Sequence, residues 1–432
     1  MRLTIHRGTK EIGGSCVAVS TETTRIIIDV GLPLVNQDRE PFDRKSIKGK
    51  TVEQLVAEKA IPPVPGLFIA DDVDRPDAIL LSHAHLDHVG LLEHTPSGVP
   101  VYATAGTSKM MLAGSVFAGQ QSLDRERHRQ IYSGQPFRIG DIEITALPVD
   151  HSCFGAVAFL VKAGGKTILY SGDLRWHGRK PGMIRSLVEK VEPLKIDALI
   201  MEGTHFGSKR PPRRTEYDLE SEIAEHIKSA PGLVLASFSP IDVDRLVTYF
   251  KASVRSGRTF VADAYTAFVM HLVHKEINNF PSPSTADQMK VYFNKSFQRR
   301  KIAKIEGLFA GNQIQMTDIM SNRAKHVLCF RPSNLRLDFA GVLPELSKVL
   351  YSYWHGYLDK PDWQTVQTHV VEQNGDFVPA HTSGHIYIED IKQFVTSIDA
   401  KCVIPIHTFS SSEFVSRFSN AVELVDGKEF QI

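Results

Sequence analysis

Short apolar runs, separated by turn residues, fill roughly the first half of the chain. Gly, Pro, Asp and Ser bound these runs, a pattern typical of strands. Examples are RLTIH, RIIIDVG, AILLSH, ITALPVDH and KTILYSGD. Several of these runs are apolar almost throughout, as strands buried on both faces are. A helical pattern is clearest after Tyr102, in TAGTSKMMLAGSVFAG. The pattern predicts a strand-rich sandwich with few helices.

The pattern changes near residue 206, at the connector GSKRPPRR, whose prolines interrupt regular structure. Thr215 is a candidate N-cap for a helix over TEYDLESEIAEHIKSA. Strands such as GLVLASF then alternate with helices over DVDRLVTYFKASVRSG and YTAFVMHLVHKEI, which indicates βαβ units on a mostly parallel sheet. A basic helix is predicted over KSFQRRKIAKIEG. The C-terminal part returns to the first pattern, with a helix over GHIYIEDIKQFVTSI and a buried strand in KCVIPIH.

Composition sets limits on size and class. The chain has 432 residues, more than the roughly 250–300 that one hydrophobic core holds, so we expect more than one domain. The formal net charge of +1 excludes a basic field over the whole protein. Because neither a membrane-spanning run nor a signal peptide is present, we expect a cytoplasmic protein without a membrane partner. The scattered cysteines, with no CxxC pair, favour buried thiols over a cysteine zinc site or disulfides: Cys16, Cys153, Cys329 and Cys402.

Candidate metal ligands cluster after the apolar run AILLS. His83, His85, Asp87 and His88 form the motif HxHxDH at a point where the chain leaves its predicted strand. A loop at a strand end can direct these side chains toward two adjacent ions, which a regular strand or helix cannot. Imidazole suits zinc, and a carboxylate adds charge and oxygen coordination. A polar surface loop is the alternative interpretation.

Three further strands end in a residue of the same kind. His151 follows ITALPVD, Asp173 ends KTILYSGD, and Asp29 follows RIII. Taken alone, each is more typical of a turn former or a satisfied core residue. In a chain that also contains HxHxDH, the set indicates a metal site.

These motifs resemble those of the metallo-β-lactamase superfamily, in which they occur in this order before a final His. Glu202 in DALIMEGT, His381, Ser383 and His385 in HTSGH, and His407 in CVIPIHT resemble motifs A, B and C of its β-CASP branch. MEGTHFG departs slightly from the usual form of motif A, although the acid is present. The resemblance implies an α/β fold, an αββα sandwich with an inserted α/β β-CASP domain. The expected domains are 1–205 and 375–432 for the sandwich and 206–374 for the insertion.

The resemblance also implies a ligand set for two zinc ions per chain, with Mn²⁺ as a possible substitute. One ion would be held by His83, His85 and His151, the other by Asp87, His88 and His407, with Asp173 as the bridge. Asp29 and Glu202 would orient the ligating imidazoles. His385 would stabilise the developing phosphorane or protonate the leaving oxygen, so that His385, Asp87 and Glu202 are the expected catalytic residues. His381 and Ser383 are the expected substrate contacts.

The leading hypothesis is a zinc-dependent ribonuclease of RNA processing that hydrolyses phosphodiester bonds by two-metal catalysis. His407 resembles the RNA-processing members, since the DNA-repair members typically carry Val at that position. A DNA nuclease or small phosphodiesterase of the same fold is one alternative, and a non-catalytic RNA-binding paralogue is another. The chain ends soon after His407, so we expect a catalytic core without the C-terminal domain or the KH-like extension of some relatives. The sequence does not distinguish endonuclease from 5′-exonuclease action, and it does not decide whether the protein is a dimer.

Local basic patches are candidate RNA contacts, with solvated surface as the alternative for each. One lies near the predicted domain junction, and one lies on the predicted basic helix: Lys209, Arg210, Arg213 and Arg214; Lys295, Arg299, Arg300, Lys301 and Lys304. Phe293 and Phe297 interleave with the second patch, either as stacking faces for bases or as core residues.

Overall fold

A computed structural model of the chain describes residues 1–36, 40–70, 74–207, 213–300 and 302–432. It divides into two compact units. The first comprises Met1–Trp176, Lys180–Arg210 and Gly384–Ile432, and the second comprises His177–Arg179 and Pro211–Ser383. The second unit covers most of the segment for which the sequence predicts an inserted domain, and the predicted domain boundaries stay a prediction.

The strands follow one another along the chain in this order: β1 (Arg2–Arg7), β2 (Cys16–Ser20), β3 (Arg25–Ile28), β4 (Ala78–Leu80), β5 (Val101–Thr104), β6 (His128–Ile131), β7 (Pro136–Ile139), β8 (Ile142–Pro148), β9 (Val157–Ala163), β10 (Lys166–Tyr170), β11 (Ala198–Glu202), β12 (Val234–Ser237), β13 (Thr259–Asp263), β14 (Met289–Tyr292), β15 (His326–Cys329), β16 (Lys348–Tyr351), β17 (Asp376–Pro379), β18 (Cys402–Ile406) and β19 (Glu429–Gln431).

The α-helices are interspersed among these strands: α1 (Val52–Ala57), α2 (Leu86–Val89), α3 (Ala105–Ala118), α4 (Pro181–Val191), α5 (Glu216–Ser229), α6 (Val243–Arg255), α7 (Ala264–His274), α8 (Lys295–Gln298), α9 (Ala303–Leu308), α10 (Met316–Ser321), α11 (Pro332–Leu337), α12 (Pro361–Glu372), α13 (Ile388–Ile398) and α14 (Ser411–Val415). None of the helices in the described part of the chain has both the length and the apolar character that crossing a membrane requires.

Two mixed sheets pack face to face in the first unit. One has the strand order β19-β1-β2-β3-β4-β5-β6 and the other β18-β11-β10-β9-β8-β7. Branched aliphatic side chains from both sheets fill the space between them, among them Val17, Ile26, Ile144 and Ile200. Helices α4 and α13 cover the other face of the second sheet through apolar residues such as Leu187 and Phe394. The mixed α/β class predicted from the sequence is confirmed.

The second unit is built on a parallel sheet of order β14-β13-β15-β12-β16-β17. Helix α5 begins at the predicted N-cap, where the Thr215 side chain accepts a hydrogen bond from the backbone N–H of Asp218. The predicted basic helix is instead two short helices, α8 and α9. Phe293 and Phe297 are buried and stacked on one another, with ring centroids 5.1 Å apart. They are therefore core residues, because their faces are not presented to solvent.

Candidate metal centre

The candidate site lies where strands of the two packed sheets end. Asp29 directly follows β3, and His83 lies shortly after β4, which pairs with β3 in parallel. In the second sheet β10, β11 and β18 are parallel neighbours, so their carboxyl ends share one edge. Asp173 follows β10, Glu202 ends β11 and His407 directly follows β18. The topology therefore gathers residues that are hundreds of positions apart in sequence.

Three imidazoles form a first cluster. Nδ1 of His85 lies 3.1 Å from Nε2 of His83 and 3.1 Å from Nε2 of His151. The rings of His83 and His151 have centroids 4.6 Å apart. His85 precedes α2 as its N-cap residue, and His151 follows β8. Among the described residues, ring nitrogens of these three histidines lie close enough together to form one candidate metal site.

A second cluster begins in α2. Successive helical residues point about 100° apart, so Asp87 and His88 leave the helix in different directions from the ring of His85. Nε2 of His407 lies 3.1 Å from Oδ2 of Asp87, and Nε2 of His88 lies 3.9 Å from that same oxygen. Gly31 permits this packing, because a Cβ on it would lie 1.7 Å from the carbonyl oxygen of Asp87.

The carboxylate of Asp173 lies between the two clusters. Its Oδ2 atom is 3.7 Å from Nε2 of His83 and 3.8 Å from Nε2 of His151. The same oxygen is 3.1 Å from Nε2 of His88 and 3.9 Å from Nε2 of His407. One carboxylate thus faces nitrogens of both clusters, which is the arrangement that a bridging ligand requires.

The donor set fits two divalent metal ions. Zinc binds His nitrogen at about 2.0–2.1 Å, which places two ligands of one tetrahedral ion about 3.3 Å apart. The distances between neighbouring ligand atoms scatter around that value. Burial lowers the pKa of His83 and of His151 well below the ordinary value, and it lowers the pKa of His85 to about 4. These imidazoles are therefore neutral near pH 7, which is the form that binds a metal.

Asp29 holds the ring of His88 from the side opposite the ligand cluster. Its Oδ2 atom accepts from Nδ1 of His88 at 2.7 Å and from the hydroxyl of Tyr170 at 2.8 Å. Its Oδ1 atom accepts from the backbone N–H of Ser82 at 2.8 Å. Because Nδ1 of His88 faces this carboxylate, Nε2 is the ring nitrogen that faces the candidate metal site. Asp29 and His407 have left-handed backbone angles, with φ of 61° and 55°, a strain that is typical of functional sites.

We expect Asp29→Asn to lower metal affinity or activity by roughly 10- to 100-fold, the usual effect of losing an outer-shell carboxylate. Asn tolerates the left-handed backbone of this position, so the substitution mainly removes the charge. Titration of metal into metal-stripped protein measures the effect. Tyr170→Phe, which removes another hydrogen bond to Asp29 and leaves the His88 contact, is the control. Equal metal affinity in Asp29→Asn and wild type would contradict this role.

Glu202, Thr204 and His385 form a polar network beside the second cluster. The two carboxylate oxygens of Glu202 lie 3.3 and 3.2 Å from Nδ1 of His385. The hydroxyl of Thr204 donates to Glu202 at 2.7 Å and lies 2.9 Å from Nδ1 of His407. Burial lowers the pKa of His385, but the charges of Glu202 and Asp173 outweigh it and raise that pKa to about 9. These carboxylates therefore favour the protonated form of His385.

Nδ1 of His385 also lies 3.8 Å from Oδ2 of Asp173. Asp173, Glu202, His385 and His407 consequently form a third group with ligand-like spacing. Because the ring edge that carries Nδ1 faces Glu202 and Thr204, the geometry favours an oriented proton donor over a ligand. The role of His385 stays a prediction.

His381 and Ser383 belong to the second unit. Nδ1 of His381 lies 3.2 Å from a guanidinium nitrogen of Arg245 and 3.2 Å from the carbonyl oxygen of Ser352. The carbonyl of Ser383 accepts from Nε2 of His177 at 2.9 Å. Their predicted role in substrate binding stays a prediction.

The predicted basic patches are described in part. Lys295, Arg299, Arg300 and Lys304 are exposed, whereas Lys301 lies outside the described residues. Near the predicted domain junction, Arg213 is exposed and Arg214 pairs with Glu222 at 3.0 Å. Lys209 and Arg210 lie outside the described residues. Contact of these patches with RNA stays a prediction.

Sequence reasoning missed several polar partners of the candidate ligands. Thr204 carries a weak signal, because it lies two positions after the strand-end acid Glu202. Tyr170 and Ser82 carry none, since Tyr170 is part of an apolar strand and Ser82 looks like an ordinary turn residue. Their hydrogen bonds to Asp29 become visible only in the folded chain.

Comparison with known families gives one match over half of the chain. Residues 24–248, just over half of the 432, match the model described as the beta-lactamase superfamily domain. A protein of unknown function from Enterococcus faecalis V583 has a crystal structure that is similar to this fold, with a TM-score of 0.81 and 22% identity over 99% of both chains.

Curated relatives are similar at low identity. The RNase J-like protein of Methanocaldococcus jannaschii is 24% identical over 286 residues, which are 61% of this chain and 58% of that protein. Transcription termination factor FttA of Methanothermobacter thermautotrophicus is 24% identical over 279 residues, 59% of this chain and 40% of that protein. Ribonuclease J of Mycobacterium tuberculosis is 22% identical over 415 residues, 94% of this chain and 68% of that protein. The chain thus spans about half the length of the first two of these relatives.

Proposed function

We propose that this chain, which belongs to the β-CASP branch of the metallo-β-lactamase superfamily, is a metal-dependent ribonuclease. The observation that carries the proposal is the pair of ligand clusters that share the Asp173 carboxylate. The relatives named RNase J-like protein and ribonuclease J support RNA as the substrate class. Zinc is the metal that we propose, two ions per chain, because histidine nitrogens dominate the donor set; Mn²⁺ suits similar sites.

When bound, two divalent ions activate water and neutralise the charge that develops on the phosphate. His83, His85 and His151 would hold one ion, and Asp87, His88 and His407 the other, with Asp173 between them. Asp29 keeps His88 in the tautomer that presents Nε2. We assign Glu202 to orienting His385, whose proton would pass to the leaving oxygen. The chain's own residues thus account for ligand orientation and for proton delivery.

The alternatives differ in substrate or in catalysis. A non-catalytic RNA-binding paralogue would lose metal ligands, whereas in the described structure the seven candidate ligands are present and close together. A DNA nuclease or small phosphodiesterase would use the same cluster. The histidine at position 407 resembles the residue of the RNA-processing members at that position, which favours RNA over DNA as the substrate. The predicted domain boundaries, cytoplasmic location and dimeric state stay predictions.

We expect the purified protein to contain close to two zinc or manganese ions and to cleave single-stranded RNA much faster than DNA of the same sequence. The test uses one RNA labelled separately at each end, with a 5′-monophosphate or a 5′-triphosphate. The product ladder separates endonuclease from 5′-exonuclease action. Chelation should abolish cleavage and metal addition should restore it, with elemental analysis on the same samples. Equal turnover of single-stranded DNA would favour the DNA alternative, and cleavage that persists in metal-free protein would contradict the metal mechanism.

A further inference from the structure

A buried ion pair in the second unit holds the segment that contains His381 and Ser383. Arg245 on α6 and Glu216 on α5 are both fully buried. Their side chains pair closely, since the Arg245 guanidinium donates to Oε1 of Glu216 at 2.9 Å through Nε and at 2.6 Å through a terminal nitrogen. The hydroxyl of Thr248 donates to the other oxygen of Glu216 at 2.7 Å. The charge of Glu216 is thus compensated by Arg245, and both of its carboxylate oxygens accept hydrogen bonds.

The remaining donors of Arg245 reach residues 352 and 381–382. One terminal nitrogen donates to the carbonyl of Thr382 at 3.1 Å. The other lies 3.2 Å from Nδ1 of His381 and 3.4 Å from the carbonyl of Ser352. Arginine is suited to this task, because its planar fork offers five donors in a fixed geometry.

Glu216 extends the same network to the next residue of the segment. Its backbone N–H donates to the carbonyl of His177 at 2.9 Å, and Nε2 of His177 donates to the carbonyl of Ser383 at 2.9 Å. The pair therefore reaches both His381 and Ser383, one directly and one through His177. Since Nδ1 of His381 lies against Arg245 and Ser352, its Nε2 lies on the opposite side of the ring.

We propose that Arg245 is a positioning residue for RNA binding, which acts by fixing the side chain of His381 and the backbone that carries Ser383. This inference rests on the proposed function, because it takes His381 and Ser383 as contacts to an RNA phosphate. A buried ion pair is not required for stability as such, because proteins in which both charges are replaced by apolar or neutral side chains often fold as well. The Arg245 guanidinium supplies contacts to His381 and Thr382 that a neutral replacement does not supply.

The test separates position from stability. Arg245→Met leaves Glu216 buried and uncompensated, so we expect a Tm lower by roughly 5–15 °C and a KM for single-stranded RNA raised by roughly 10- to 100-fold. The double variant Arg245→Met with Glu216→Gln removes both charges and should recover most of the Tm while the KM stays high. Metal content, and turnover of a short chromogenic phosphodiester, should stay at the wild-type level in both variants.

Arg258→Met is the matched control. Arg258 is also buried in the second unit, where it donates to the carbonyls of Gly232 and Ala230. We expect this variant to lower the Tm and to leave the KM for RNA unchanged. A KM that recovers with the Tm in the double variant, or one that rises equally in Arg258→Met, would reduce Arg245 to a structural residue and overturn the inference.

Failure of the proposed function gives a different result. If wild-type protein binds RNA without cleaving it, the ribonuclease assignment fails, and the dissociation constants of the same variants decide the role of Arg245. If wild-type protein cleaves RNA and Arg245→Met has the wild-type KM, the ribonuclease assignment stands and the positioning role fails.

Discussion

Asp173→Ala is expected to lower the metal content from about two ions per chain to below one and to abolish RNA cleavage. The reason is that a single oxygen of this carboxylate faces a nitrogen of His83, His88, His151 and His407 at 3.1–3.9 Å. Removal of the carboxylate takes a candidate ligand from both ions and removes the negative charge that would offset the repulsion between the two cations. We expect activity to fall by at least about 10³-fold, a loss of roughly 4 kcal/mol of transition-state stabilisation.

Elemental analysis and single-turnover cleavage on the same preparation measure both effects. Asp141→Ala, at an exposed acid of the same unit, is the control and should behave as wild type. Circular dichroism checks that Asp173→Ala is folded. A folded Asp173→Ala protein that retains two ions would show that this carboxylate does not bridge, and the two clusters would then be separate sites.

The sequence indicates which candidate ligands lie close together because most of them follow the ends of strands. His83, Asp173 and His407 each follow an apolar strand, and neighbouring parallel strands bring their carboxyl ends to one edge of a sheet. A local pattern, an apolar run that ends in His or Asp, therefore reports a long-range arrangement. The same logic gave the parallel sheet of the second unit, whose strands alternate with helices α5, α6 and α7.

Contacts between side chains on different elements leave no such local pattern. Thr204 touches Glu202, His385 and His407, and Arg245 reaches Glu216 and His381, yet none of these pairs has a fixed spacing along the chain. In the basic run KSFQRRKIAKIEG, by contrast, a local pattern leads to a wrong prediction. Its composition favours one helix, but the chain ends α8 at Gln298 and begins α9 at Ala303. Close to this break, Phe297 is buried and packs on Phe293.

His385 and His407 have similar surroundings and are expected to differ in role. Both rings lie near Thr204 and Asp173, with centroids 5.4 Å apart. Nδ1 of His407 lies near Thr204 while its Nε2 faces Asp87 and Asp173, as a ligand would. In His385 it is Nδ1 that faces the carboxylates, and a ring nitrogen that donates to Glu202 cannot also coordinate an ion. The side chain of His385 is also 23% exposed, whereas that of His407 is 1% exposed.

We therefore expect His385→Ala to keep both ions and to lower kcat by roughly 10²- to 10⁴-fold, the usual contribution of a positioned general acid. His407→Ala should instead weaken one metal site, so that its metal content falls together with its activity. Metal content and single-turnover rate are measured on the two variants side by side. A metal-depleted His385→Ala protein would make His385 a ligand, in line with its place in the group of Asp173, Glu202 and His407. A fully active His385→Ala protein would remove it from the mechanism, because a purely structural contact predicts a stability loss of about 1 kcal/mol with kcat nearly unchanged.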